Sequence, residues 1–188
     1  MNLTEKQLKD TIKKSMKGNR KAQEHLFKAY YSKMIAVCMR YSRDHDTAQE
    51  VCQIGFIKVF DNLERYSFDG SFEGWMRRIM VNTAIDQIRK SKKELTIIED
   101  DSRIESDDIE DEVDTTDFVG LEVSDVVEAV QQLSPAYRSV FNLYVMENYS
   151  HKEVSEILEI SEGTSKSNLA KAKRNLRTLL EHKRKYHE

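Results

Sequence analysis

Two stretches of this sequence carry side chains in a spacing suited to holding a polyanion. In Tyr149–Leu180, Ser150 and Glu153 have the S-x-x-E spacing of a capping box, which predicts a helix opening at His151 with Val154, Ile157 and Leu158 on its apolar edge. Ser161 is spaced to cap a second helix on which Leu169, Ala172, Leu176, Leu179 and Leu180 recur at helical intervals. A short link with Ile160 at its corner makes the pair a helix-turn-helix. With Leu169 turned inward at about 100° per residue, Thr164, Ser167, Lys171 and Arg174 fall outward, where a recognition helix meets base edges. The competing reading is a plain helical hairpin with a solvated lysine face. The second stretch, Phe72–Ser91, interleaves Phe72 and Trp75 with Arg77, Arg78, Arg89 and Lys90, a mixture able to stack unpaired bases while holding phosphates. Trp75 also admits the simpler role of closing a core.

Bond-making chemistry finds less support. Glu99–Asp117 contains eleven carboxylates and one base, Arg103, which suggests metal ligation. A metal site needs a rigid frame and supporting hydrogen bonds, and this segment has too few large apolar groups to fold into one. Outside it the paired acids Asp44 and Asp46 are the only candidates, and they read as a helix start. Cys38 and Cys52 fall on apolar helical stripes and read as small core residues, neither a disulfide nor half a metal site.

The elements that position these groups are helices. Hydrophobic residues make up 39% and charged residues 34%, Pro135 is the single proline, and no strand-type alternation occurs. No apolar run is long enough for a membrane span, and Met1–Gly18 lacks the apolar core of a signal peptide, so the expected location is the cytoplasm. The net charge of −3 conceals segregation. Outside Glu99–Asp117 the chain has 29 bases against 22 acids, and in residues 118–188 eight of ten acids precede Gly163 while eight of ten bases follow it. Two basic surfaces on either side of an acidic tether favour a polyanionic partner.

In chain order, a short helix carries Leu8, Ile12 and Met16 and ends at Gly18-Asn19. A core helix over Arg20–Tyr41 follows, then one capped by Asp46 or Thr47 and running to about Arg65. On the latter, Val51, Cys52, Val59, Phe60 and Leu63 face inward, while Glu50 and Gln53 face elsewhere beside an exposed Ile54. Tyr66–Ser71 is a loop with turn chemistry at Asp69-Gly70, leading into Phe72–Ser91. Beyond the acidic stretch, Val126, Val127, Val130 and Leu133 precede Ser134-Pro135, an N-cap with proline at the first helical position. A core helix with Val140, Phe141, Leu143, Tyr144 and Met146 then enters the helix-turn-helix. The expected fold is all-α, with two small helical domains at 1–93 and 119–188 joined by a flexible acidic linker at 94–118.

Taken together the segments resemble a bacterial sigma factor of the sigma-70 family, extracytoplasmic-function group. DTAQEVCQIGFIKVF is similar to that group's polymerase-binding segment, SFEGWMRRIMVNTAIDQIRK to its minus-ten segment, and LSPAYRSVFNLYVMENYSHKEVSEILEISEGT to its minus-thirty-five domain, in the same order. The resemblance covers roughly 21–93 and 123–183. It implies a non-enzymatic initiation factor that needs no cofactor and no metal and whose partners are core RNA polymerase and promoter DNA. By position, Glu50, Gln53 and Ile54 would dock on the polymerase. Ser67, Phe68, Phe72, Trp75, Arg77, Arg78, Asn82, Asp86 and Arg89 would hold the melted minus-ten element. Thr164, Ser167, Asn168, Lys171 and Arg174 would read the minus-thirty-five duplex. Beyond these, Arg177, Lys183 and Arg184 suit backbone phosphates.

Three departures stand out from the group's pattern. Ile54 replaces a usually acidic residue, and Ser165 stands where an inward apolar residue is common, which is expected to loosen the recognition helix. Asn168 replaces a frequent arginine, and asparagine is able to pair with adenine. Two other classes compete: a helix-turn-helix regulator with a helical effector domain, and a DNA transposase or nuclease. The sequence leaves open whether an anti-sigma factor or another regulatory protein binds the chain.

Overall fold

The computed structural model describes residues 4–95 and 122–187, and among these every regular element is helical. The elements are α1 (Glu5–Met16), α2 (Arg20–Tyr41), α3 (His45–Asp61), a 3₁₀ turn (Leu63–Arg65), α4 (Phe72–Leu95), α5 (Val123–Gln132), α6 (Pro135–Phe141), α7 (His151–Leu158) and α8 (Glu162–His187). The chain divides into two compact units, Met1–Asp86 and Gln87–Glu188. From residue 96 on, the expected acidic linker lies outside the described residues.

Local chemistry sets the helix boundaries of the first unit. Thr4 and Gln7 form a reciprocal capping box at the start of α1, a T-x-x-Q signal that the apolar periodicity alone passes over. Gly18, at φ 76°, takes the left-handed turn after α1, and Asn19 caps α2 by accepting from the Ala22 amide at 3.0 Å. The cap of α3 is Asp44, not Asp46 or Thr47: its Oδ1 accepts from the Thr47 amide at 2.8 Å, so the helix begins earlier than expected. α3 also stops at Asp61, short of Arg65. Asn62 Nδ2 donates to the Lys58 carbonyl at 2.8 Å, and the chain tightens into the 3₁₀ turn through Arg65 N–H donating to the Asn62 carbonyl.

The core of this unit joins Ile12 of α1, Leu26, Met34 and Cys38 of α2, Cys52 and Val59 of α3, Leu63, and Met76 and Met80 of α4, all nearly or fully buried. α2 packs on both α1 and α3. Cys38 and Cys52 are free thiols inside this core and hydrogen-bond one another, which pushes the Cys38 thiol up. At Gly55 a Cβ would stand 2.2 Å from Met80 Sδ, so glycine is what lets the Met80 side chain of α4 lie against the α3 backbone.

The second unit is a four-helix arrangement in which α8 packs on α5, α6 and α7. Ser134 and Pro135 open α6 as expected, with the Tyr137 amide donating to Ser134 Oγ. Arg138 is buried and its Nη2 donates to the carbonyls of Gln131 and Leu133, each at 2.8 Å, satisfying the end of α5. The core holds Ala129, Val130, Leu133, Val140, Phe141, Leu143, Val154, Leu169, Ala172, Leu176 and Leu180. Tyr144 and Met146, expected inside, are exposed together with Val145. α6 ends in a wide turn over Asn142–Met146, where the Glu147 amide donates to the Asn142 carbonyl five residues back. That extra residue rotates the side chains after Leu143 out of the core.

Gly55→Ala forces Met80, fully buried, to move or α3 to lift. We expect the first unit to lose about 1–3 kcal/mol, read as a lower urea midpoint in circular dichroism, while Gly74→Ala, whose Cβ meets nothing closer than Ser71 Cβ at 3.6 Å, leaves it nearly unchanged.

Candidate nucleic-acid interface

An open cleft of about 290 Å³ lies on the first unit. Lys58 and Asn62 line it from α3, Arg65 from the 3₁₀ turn, and Trp75, Ile79, Asn82 and Thr83 from α4. The spacing 75, 79, 82, 83 is one helical face, so a single helix supplies an indole, an aliphatic surface, an amide and a hydroxyl side by side. Lys58 is held there by Asp86, with Nζ donating to Oδ2 at 2.9 Å. Of the cleft's lining, Trp75 and Asn82 were legible in the sequence as site residues. Lys58, Asn62, Arg65 and Thr83 were not, because the helix was expected to continue through Asn62 and the turn that brings Arg65 round was not anticipated.

The indole is set by an aromatic cluster. Trp75 stacks on Phe72 at 5.8 Å between centroids, and Tyr66 packs on both, at 5.5 Å from Trp75 and 5.1 Å from Phe72. Phe72 itself is 3% exposed, with its ring edge-on to Tyr30, so it supports Trp75 and does not face the cleft's solvent. The loop between is fastened at Tyr66, whose hydroxyl donates to the Gly70 carbonyl at 2.7 Å. Ser67 is exposed, and its Oγ accepts from the Asp69 amide. Phe68 holds the left-handed φ of 65°, packs on Tyr66, and has Lys9 Nζ 5.5 Å above its ring. Arg78 is exposed and Arg77 half-buried on α4, while Arg89 lies past Asp86, beyond the division between the units.

On α3, Glu50 and Gln53 are exposed as expected, but Ile54 is half-buried. The exposed apolar residue of this face is Ile57, 60% exposed, one turn beyond Gln53. Following the 50-53-57 interval would have found it. Asp44 serves the helix start: the Thr47 hydrogen bonds and then Arg43 hold its carboxyl below the usual range. Among the described residues no group of three or more His, Cys, Asp and Glu is arranged to hold a metal ion, and no helix is long and apolar enough to cross a membrane.

In the second unit α7 and α8 form the helix-turn-helix. Glu159 turns the corner at φ 56°, and the Thr164 amide donates to Ser161 Oγ at 3.0 Å. Leu169, Ala172 and Leu176 face inward. Thr164 and Arg174 are exposed, and Ser167, Asn168 and Lys171 half-exposed, on the remaining surface of α8. Thr164 Oγ1 lies 2.8 Å from Ser161 Oγ, so its hydroxyl is shared with the cap. Ser165 corrects an expectation: it is fully buried and 2.9 Å from His151 Nδ1, which ties α8 to α7 where loosening is expected from the sequence. Lys183 is also different. Its ammonium donates to Asp125 at 3.3 Å and Glu128 at 2.5 Å, binding α8 to α5 and leaving it poorly placed for phosphate.

The two helical units thus present an open cleft beside Trp75 on one and a helix-turn-helix on the other. The sequence profile of sigma-70 region 2 matches residues 26–94, and that of sigma-70 region 4 matches residues 124–176. Among relatives, the ECF RNA polymerase sigma factor SigW of Bacillus subtilis is 29% identical over 183 residues, covering 94% of this chain and 98% of its own. The RNA polymerase sigma-H factor of Pseudomonas aeruginosa is 26% identical over 180 residues, covering 91% and 92%. In fold the chain is similar to the sigma factor RpoE from Bartonella quintana, solved in complex with the anti-sigma factor NepR, with a TM-score of 0.50 at 23% identity over 84% of this chain and 96% of that one. The chain belongs to the sigma-70 family, in its extracytoplasmic-function group, and is a sigma factor that directs RNA polymerase in transcription initiation. The regulator and nuclease readings are not favoured.

Lys183→Ala should lower the stability of the second unit by about 1 kcal/mol and leave the salt dependence of DNA binding unchanged. By contrast Arg174→Ala should reduce that slope by roughly one, the mark of a lost phosphate contact, in salt titrations of duplex binding.

Proposed function

We propose that the first unit captures an unpaired minus-ten base in the cleft beside Trp75, while the outer face of α8 reads the minus-thirty-five duplex. The observation that carries the reading is the composition of the cleft: an indole and Ile79 to stack against, Asn62 and Asn82 to hydrogen-bond a base edge, and Arg65 to hold phosphate. A duplex presents no free base face, so a site of this kind rewards melted DNA and pulls the equilibrium toward opening. Glu50, Gln53 and Ile57 form the face that docks on core polymerase, with Ile57 supplying the apolar contact first assigned to Ile54. Along α8, Ser167, Asn168 and Lys171 reach base edges and Arg174 the backbone. The protein acts by binding alone, with the chemistry left to the polymerase and no cofactor of its own. The relative RpoE is held by an anti-sigma protein, and a similar regulator is proposed here.

Trp75→Ala and, separately, Asn82→Ala should leave holoenzyme on duplex promoter but lower permanganate reactivity of minus-ten thymines. Loss of one stacked base corresponds to about 1–3 kcal/mol. Asn82 is exposed, so its replacement does not disturb the aromatic cluster. Normal opening by both variants refutes the assignment of the cleft. Glu50→Lys with Gln53→Ala should weaken association with core polymerase by about 1–3 kcal/mol at unchanged helicity, and an unaltered pull-down removes α3 as the docking face.

A further inference from the structure

The helix-turn-helix is joined by a polar chain that its family resemblance does not account for. His151 is the first residue of α7, and Ser165 lies in the first turn of α8. Their side chains meet at 2.9 Å between Nδ1 and Oγ. Ser165 is fully buried at an inward position otherwise suited to an apolar side chain. On its other side the imidazole stacks on Tyr144, with centroids 4.3 Å apart and planes 24° from parallel. Tyr144 sits on the wide turn after α6, the same turn whose extra residue carries it out of the core. One ring therefore touches the turn, the first helix and the recognition helix.

We propose that Tyr144, His151 and Ser165 form a positioning relay that fixes the start of α8 against α7, and that the relay holds α8 for duplex reading only while His151 is neutral. This rests on the reading of α8 as the recognition helix. In the neutral ring protonated at Nε2, the Ser165 hydroxyl donates to Nδ1 and the buried serine is satisfied. Protonation at Nδ1 reverses that donor and places a cation between the Tyr144 ring and a basic helix. The charged groups facing His151 from α8 are Lys166, Glu162 and Lys173, and Tyr144 faces it from the turn. Burial first, then Lys166 and Lys173 against the opposing pull of Glu162, hold its imidazolium below the ordinary histidine range. Because the folded value is depressed, the native arrangement is fully favoured above the ordinary histidine value and loses stability as pH falls through it toward the folded value.

The relay explains why a serine here does not loosen the helix. Ser165 is three residues from Asn168, two from Ser167 and six from Lys171, so a tilt at its position moves every residue proposed to meet base edges. Ser165 and His151 themselves touch no DNA in this arrangement and act through the pose of α8.

The test uses full-length protein bound to core RNA polymerase, on a promoter fragment selected from a random library by the wild-type holoenzyme. Ser165→Ala should weaken specific binding about fivefold near neutral pH, the loss of one net hydrogen bond. His151→Phe combined with Ser165→Ala keeps the stack and replaces the polar pair by an apolar one, so binding should recover. Relative to that double variant, wild-type binding should fall about fivefold as pH drops from about 7.5 to about 5.5, within the histidine range. Should Ser165→Ala unfold the helix-turn-helix, the wild type and double variant still give the comparison, and His151→Asn, which keeps a hydrogen-bonding partner without titrating, should also lack the pH dependence. Parallel pH profiles for wild type and double variant overturn the relay. Lys171→Ala separates the two claims: if it alters sequence preference while those profiles run parallel, the relay fails and the reading of α8 stands. If Lys171→Ala leaves preference unchanged, the reading of α8 fails and takes the relay with it.

Discussion

The separation of α3 from α4 is the constraint on which the first unit depends. Met80 lies where any side chain at position 55 would project, and the two helices settle at that distance. The walls of the cleft come from these same helices, with Lys58 and Asn62 on one and Trp75, Ile79, Asn82 and Thr83 on the other. The Lys58–Asp86 pair spans them at 2.9 Å, and exposed as it is it adds orientation more than stability. Glu50, Gln53 and Ile57 ride on the opposite side of α3 from Val51, Cys52 and Val59. A single packing contact between a glycine and a thioether thus lies between the two helices that wall the cleft, one of which also carries Glu50, Gln53 and Ile57 on its outer side.

The second unit solves a different problem, that of ending helices inside a small core. Arg138 is a buried cation whose guanidinium closes the carbonyl end of α5 through Gln131 and Leu133. Asn142, also buried, donates to the Arg138 carbonyl at 2.9 Å and begins the wide turn. Polar side chains in such places are stabilising because the carbonyls they meet would otherwise be buried without partners. The same turn delivers Tyr144 to His151, so the irregularity that ends α6 also supplies one face of the helix-turn-helix.

Helical class and the succession of segments were legible in the sequence because each rests on periodicity or on a capping pattern read over several residues. Ser150 with Glu153, and Ser134 with Pro135, are examples in which the side chain that announces a helix also makes its first hydrogen bond. What escaped depends on single contacts at a distance. Tyr144 and Met146 fit the apolar stripe of α6, and nothing in their spacing reveals that one additional residue in the following turn swings them outward. Lys183 looked like one more member of a basic row until its ammonium was found between Asp125 and Glu128, more than fifty positions earlier in the chain. Ile54 and Ile57 differ by less than a turn, and only the packing of α3 decides which is open to solvent. The cleft itself is an extreme case, since Arg65 enters it through a turn three residues long.

The chain contains one tryptophan, and it stands in the wall of the cleft. The second unit has tyrosine as its bulkiest chromophore, so red-edge excitation selects the first unit alone. A half-buried indole stacked on Phe72 and lining the cleft is sensitive to whatever lies against it. The free chain thereby carries an intrinsic optical probe in the wall of its cleft, and whatever enters there is observable in real time on unlabelled protein.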